Sequence, residues 1–190
     1  MSFSETEINP QDLHFIPLGG VGEIGMNASL YGVNGKWLLV DLGITFTQSS
    51  IPGVDIVVPD LTFIENQKEN LLGIVLTHAH EDHLGAVPYL WSKLKCPVFA
   101  TPFTKSILTE KLREFGLHKV VMLHDISPGT NFELGPFSLK YIPVSHSIPE
   151  SNALVIRTGD GTILHTGDWK LDPNPIVGKP TDVDEFKLLG

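Results

Sequence analysis

Six residues constrain this chain more than any others: His78-Ala79-His80-Glu81-Asp82-His83. They follow the apolar run Leu72 to Leu76, which reads as a buried strand. Any fold of this sequence must therefore end a core strand on a dense set of titratable groups. Imidazole is the commonest metal ligand, and carboxylate is a hard partner for the same ions. Ligands two residues apart at a strand end can converge on one ion. Asp82 and His83, at the start of a helix predicted over 84–94, can face a second. The bland alternative is a polar helix cap among surface histidines. A cap needs one residue such as Asp82, and this loop carries five titratable groups.

Two more strand ends supply matching chemistry. His146 follows a strand predicted over 137–144, and Asp168 follows one over 162–165. Singly, the first reads as a structural histidine and the second as a turn. Together with the cluster they suggest ligands delivered to one edge of a sheet. His14, His118, His124 and His165 read as structural or exposed. Cys96 reads as a small buried residue rather than a nucleophile, and Trp37 and Trp91 as packing. Trp169 also reads as packing, though it is near enough to the site to touch a substrate. Lys170 and Ser147 read as solvated rather than as phosphate contacts.

The rest of the chain predicts mixed α/β structure with antiparallel pieces. Strands are expected over 13–18, 27–33, 36–41, 97–100, 119–123 and 153–157, and a helix over 103–115. Asn34-Gly35 between two strand-like runs is a hairpin signal, because both residues tolerate positive φ. Residues 43–70 read as loop-rich. Residues 1–12 read as a flexible N-terminal arm and 13–190 as one incomplete domain, with no clear terminating element after Phe186. Gly20-Val21-Gly22-Glu23-Ile24-Gly25 fits the dinucleotide pattern G-x-G-x-x-G. That reading needs a helix to begin at the last glycines, whereas the residues that follow read as a strand. A tight turn lining the metal edge is the preferred reading.

Composition narrows the function classes. With 190 residues, 42% hydrophobic and 18% charged, the chain fits one ordinary domain and not a disordered segment. Its single cysteine excludes an intrachain disulfide and a cysteine-based zinc finger. The formal net charge of −9 is a poor general footprint for nucleic acid. There is no basic, apolar leader and no run long enough for a membrane span, so cytoplasm is the expected compartment.

Taken together, the motifs resemble the ribonuclease J family of the metallo-β-lactamase superfamily. The resemblance rests on Gly22-Glu23-Ile24-Gly25-Met26-Asn27, Val40-Asp41-Leu42-Gly43, Asp55 to Asp60, Leu76 to Tyr89, His146 to Ser151 and His165 to Asp172. The histidine cluster alone indicates only the superfamily; the combined set is similar to ribonuclease J. The resemblance implies an αββα sandwich, here its N-terminal portion only, with two zinc ions at one edge (manganese or magnesium being the alternatives). It implies that His78, His80 and His146 hold one ion, that Asp82 and His83 hold the other, and that Asp168 bridges both. Asp82 and Asp168 would carry the catalytic roles, and Asp41 would orient the histidine loop from behind. The implied activity is 5′-to-3′ exonucleolytic and endonucleolytic hydrolysis of RNA, 5′-monophosphorylated, by a homo-oligomer in RNA maturation and decay. Family members also carry a β-CASP domain and a C-terminal domain that these residues do not contain, so the chain is expected to be an inactive fragment on its own. A small-molecule thiolester or lactam hydrolase, a DNA-processing relative and a non-catalytic metal-binding fragment are the competing readings.

Overall fold

A computed structural model describes residues 9–46 and 53–189. Strands β1 (His14–Gly19), β2 (Ala28–Val33) and β3 (Lys36–Val40) form an antiparallel meander. The turn between β2 and β3 is Asn34-Gly35, with φ of 52° and 67°. Positive φ at both central residues matches the natural twist of paired strands, which is why this dipeptide sets the register. β6 (Leu71–Val75), β7 (Val98–Ala100) and β8 (Leu123–Asp125) then add in parallel, giving the order β1-β2-β3-β6-β7-β8. Parallel neighbours need crossovers. These are supplied by α3 (Val87–Leu94) and α4 (Pro102–Glu114), each with proline in its first turn, where the missing N–H costs nothing. Between β3 and β6 lie the two-residue pair β4 (Thr45–Phe46) and β5 (Ile56–Val57) and the short helix α1 (Thr62–Glu65).

A second sheet is built from β9 (Asn131–Leu134), β10 (Phe137–Pro143), β11 (Asn152–Thr158) and β12 (Gly161–His165), in the order β12-β11-β10-β9. Alternation sorts the side chains into layers. Leu38, Val40, Val75 and Phe99 from the first sheet meet Phe137, Leu139, Tyr141, Leu154 and Ile156 from the second. On the opposite face of the first sheet, Leu39, Ile74 and Leu76 pack under Leu84, Leu90, Trp91, Leu108 and Leu112 of the helices. Outside the second sheet, Ile142, Val144, Ala153 and Val155 are covered by Phe186 and Leu189, at and beyond α5 (Val183–Lys187). The layers run helix, sheet, sheet, helix, as the αββα expectation requires.

Several elements differ from the sequence reading. The helix expected over 84–94 is two helices, α2 (Glu81–Leu84) and α3, separated by Gly85-Ala86. Helix therefore begins inside the histidine cluster. The strand expected over 119–123 starts only at Leu123, and residues before it form a turn in which Val121 alone is buried. β9 and α5 were not expected: one is a short, half-polar edge strand and the other a single turn. The glycine-rich stretch 20–25 is a series of bends that leads into β2, so the helix a dinucleotide site requires is missing there. Of the expected N-terminal arm, residues 1–8 lie outside the described residues. Pro10 accepts from Gly35 N–H at 3.0 Å, which ties residues 9–12 to the β2–β3 hairpin. Among the described residues, no helix is long and apolar enough to cross a membrane.

Candidate metal centre

Strand direction alone gathers the candidate ligands. β3 and β6 are parallel, so Asp41 and the loop from Thr77 to His83 leave the first sheet at the same edge. β10 and β12 are each antiparallel to β11 and hence parallel to one another. His146 and Asp168 therefore emerge together from the second sheet. The two edges are tied by Tyr141, whose buried hydroxyl donates to Leu76 O at 2.6 Å, and by Asn152 N–H, which donates to Thr77 O at 3.2 Å.

Around His78 the geometry is a convergence of ring nitrogens. His80 Nδ1 lies 3.0 Å from His78 Nε2 and 3.1 Å from His146 Nε2. One proton on His80 Nδ1 can serve both contacts, which leaves the other two nitrogens with lone pairs aimed at a common point. The His78 tautomer follows from its neighbours. Thr77 Oγ1 donates to Asp41 Oδ2 at 2.8 Å, so the same oxygen accepts from His78 Nδ1 at 3.0 Å. His78 Nε2 is then free to act as a ligand. Burial, reinforced by the His83 charge, pushes His78 down to about 3, so its ring is neutral. Burial and His80 lower His146 as well.

On the far side of His78 the site is ionic. Burial opposes a charge on His83, but the Asp41 carboxylate, 2.7 Å from His83 Nδ1, outweighs it and raises the ring to about 10. His83 Nε2 faces Asp168 Oδ1 at 3.4 Å and Asp82 Oδ2 at 3.5 Å. The other Asp168 oxygen lies 3.7 Å from His146 Nε2, so this carboxylate spans the two halves. Its hydrogen bond with His83 holds it down at about 2. Asp41 is fully buried and also accepts from Thr77 N–H at 2.8 Å; His83 keeps it ionised against its burial.

The backbone beneath the acidic half is equally specified. Leu42 N–H donates to His83 O, Ile44 N–H to Glu81 O and Asn27 N–H to Asp82 O, all within 3.0 Å. A Cβ at Gly43 would stand 1.7 Å from Asp82 O, so only glycine lets these loops meet. The Asn27 side-chain amide donates to Asp82 Oδ2 at 3.3 Å and approaches His83 Nε2 at 3.1 Å. Gly19, Gly20 and Val21 line a cleft of about 260 Å³ with Asn27, His83 and Asp168, so the glycine turn does border this edge.

All six expected ligands are thus brought to one place. Two sets have ligand atoms within 4.8 Å of one another: His78, His80 and His146, and His78, His83 and Asp168. His78 borders both, where the sequence reading gave it to one side. Asp82 belongs to neither tight set and is drawn instead toward Asn27. The sequence reading assigns no role to Thr77 or Asn27; a hydroxyl directly before His78 was the signal for Thr77, whereas Asn27 lies 55 residues from Asp82 and had none. The sequence reading takes His165 as structural or exposed. That ring meets Tyr31 Oη at 2.9 Å, and burial lowers its pKa. Cys96 is buried and its thiol is pushed up to about 12, which fits a packing role. Neutral imidazoles beside three carboxylates with one imidazolium among them form a donor set suited to divalent cations.

Comparison with known proteins agrees with this chemistry. A model described as "Metallo-beta-lactamase superfamily" matches residues 21–184. A ribonuclease J of Sinorhizobium meliloti is 47% identical over 95% of this chain, and one of Helicobacter pylori is 40% identical over 92%. The chain spans 33% and 25% of those two proteins. Among solved structures, a protein of unknown function from Enterococcus faecalis superposes with a TM-score of 0.66 at 21% identity, covering 84% of this chain and 44% of that one. The metallo-beta-lactamase fold protein YhfI of Bacillus subtilis does so with a TM-score of 0.58 at 18% identity, covering 81% and 61%. From the family model and the shared layers, the chain belongs to the metallo-β-lactamase superfamily.

Proposed function

We propose that this chain is the metal-holding part of a zinc-dependent ribonuclease that hydrolyses RNA phosphodiester bonds. The observation that carries the reading is the pair of ligand sets sharing His78 and spanned by Asp168, in a chain 47% identical to a ribonuclease J over 95% of its length. His78, His80 and His146 would hold one ion. His83, Asp82 and Asp168 would hold the second, with Asp168 between the two. A bound ion pair supplies Lewis-acid stabilisation of charge on the phosphoryl group and lowers the pKa of water. The chain's own residues do the rest. Asp41 and Thr77 fix the His83 and His78 rings, and Asp168, held at about 2, stays ionised and contributes charge rather than protons. Asp82, with its Oδ2 steadied by Asn27, would take a proton from the attacking water and pass it to the leaving oxygen.

In this reading the substrate is 5′-monophosphorylated RNA, cut both from the 5′ end and internally by a cytoplasmic homo-oligomer. The acidic chain supplies chemistry, and RNA-binding surface comes from parts of such an enzyme beyond the third represented here. The test loads a full-length enzyme that contains this chain with zinc or manganese and offers RNA carrying a 5′-monophosphate or a 5′-triphosphate. Faster release of mononucleotides from the monophosphate, together with internal cuts, is expected. Intact RNA beside a hydrolysed thiolester would overturn the reading.

A further inference from the structure

We propose that Thr181 is a positioning residue for the metal centre: its hydroxyl locks the loop bearing His146 to the loop bearing Asp168, and so sets the spacing at which the two meet a divalent cation. The inference rests on the metal-holding role proposed above.

Ser145, directly before His146, pairs with Lys170, two residues after Asp168, in an isolated antiparallel bridge. Lys170 N–H donates to Ser145 O at 3.0 Å. The opposite side of that bridge is closed by Thr181. Ser145 N–H donates to Thr181 Oγ1 at 2.8 Å, and Thr181 Oγ1–H donates to Lys170 O at 3.0 Å. One hydroxyl thus accepts from one ligand loop and donates to the other. Ser145 Oγ–H adds a bond to Lys179 O at 3.0 Å, which brings the Thr181 segment alongside. Ser145 is 1% exposed and Thr181 9%, so water cannot replace these bonds cheaply.

Only a hydroxyl suits this position. Valine matches threonine in shape but neither accepts nor donates, so Ser145 N–H and Lys170 O would be left buried and unpaired. The loops would then part to hydrate them. His146 Nε2 and Asp168 Oδ2, 3.7 Å apart, are the side chains displaced by that movement. The ligands on the first sheet have Asp41 and Thr77 behind them; the ligands on the second sheet have this clasp. Its distance from the ring atoms explains why no local pattern around His146 or Asp168 advertises it.

The test compares Thr181→Val and Thr181→Ser with the unaltered protein. Zinc affinity is measured by competition with a chromophoric chelator, and cobalt(II) absorption is recorded at saturation. Thr181→Val should weaken affinity roughly 10–100-fold, as loss of a supporting contact behind a metal ligand does, and should change the cobalt band. Thr181→Ser should restore both. If Thr181→Val does not fold, Ser145→Ala decides by the same readouts, because it loosens the clasp without stranding a backbone N–H. A variant that melts earlier without metal but keeps the affinity and the cobalt band would show a merely structural threonine and overturn the inference. An unaltered protein that binds no divalent cation would instead overturn the metal-holding role and this inference with it.

Discussion

The two halves of the candidate centre reach the same edge by opposite means. His78, His80 and His146 converge as ring nitrogens, and burial keeps His78 and His146 from charging. His83, Asp82, Asp168 and Asp41 form a network in which one imidazolium faces three carboxylates. The first half offers lone pairs that nothing but a cation or a single shared proton can satisfy. The second half already holds a cation, the protonated His83, and an ion entering there competes with that proton. The acidic half is also part of what holds the two loops down, through Leu42 N–H on His83 O and the His83–Asp41 pair.

That contrast predicts where mutations will hurt. Asp41→Ala should have the largest effect, since it leaves the buried His83 charge without its 2.7 Å partner. Breaking a buried pair from one side costs about 3–5 kcal/mol. Asp168→Ala removes a partner of the same ring, but one that is 44% exposed and 3.4 Å away, so the loss should stay below about 1 kcal/mol. Urea unfolding of the metal-free protein measures both. Equal losses would mean that burial does not separate the two carboxylates, and the comparison would fail. His80→Ala should reverse the pattern. Its unfolding midpoint should barely move, while zinc affinity falls at least about 100-fold, since even supporting contacts are worth 10–100-fold.

How much of this could be read from the sequence follows the same division. The imidazole half was legible because each ligand is a rare residue at a strand end: His78 and His80 after β6, and His146 after β10. The sandwich was legible only through the resemblance of the motifs, since the residue pattern by itself reads as mixed α/β structure with antiparallel pieces. What stayed hidden depends on contacts far apart in the chain. Asn27 meets Asp82 across 55 residues, and Thr181 meets Ser145 across 36. No window of sequence brings such pairs together. The broken helix 81–94 was missed for a local reason. Gly85 sits under Glu81 O with a Cβ clearance of 2.4 Å, a packing demand that helix periodicity does not register.

Thr77 stands between the halves and allows a finer cut. Its hydroxyl links Asp41 to His78 Nδ1, so Thr77→Val should free the His78 tautomer while leaving the Asp41–His83 pair in place. Zinc affinity should fall roughly 10–100-fold, with a smaller loss of folding stability than Asp41→Ala, and Thr77→Ser should restore it. Chelator competition and urea unfolding read the two quantities separately. A loss of stability equal to that of Asp41→Ala would mean that threonine and aspartate act as one unit and that the halves are not separable at this point.

The pH dependence is the most diagnostic, because the two halves should titrate with opposite sign. An unfolded histidine has a pKa of about 6.5. His78 sits at about 3 in the fold, so between those values the unfolded chain binds a proton that the folded one refuses. Stability therefore rises with pH across that interval. His83 sits at about 10, so between 6.5 and 10 the folded protein keeps a proton that the unfolded chain has released. Its contribution is complete below 6.5 and is lost as pH rises toward 10. Asp168, held at about 2, steepens only the most acidic part of the curve, below the ordinary carboxylate range. Urea midpoints of the metal-free protein should accordingly peak near pH 6.5 and decline on both sides. His78→Gln should soften the acid limb, which His146 and His165 also shape, and His83→Gln should flatten the alkaline limb while softening the acid limb slightly, because its charge helps to hold His78 down. A midpoint that climbs steadily from pH 5 to pH 9 would mean that His83 is neutral in the fold, and that both halves of the centre are built the same way.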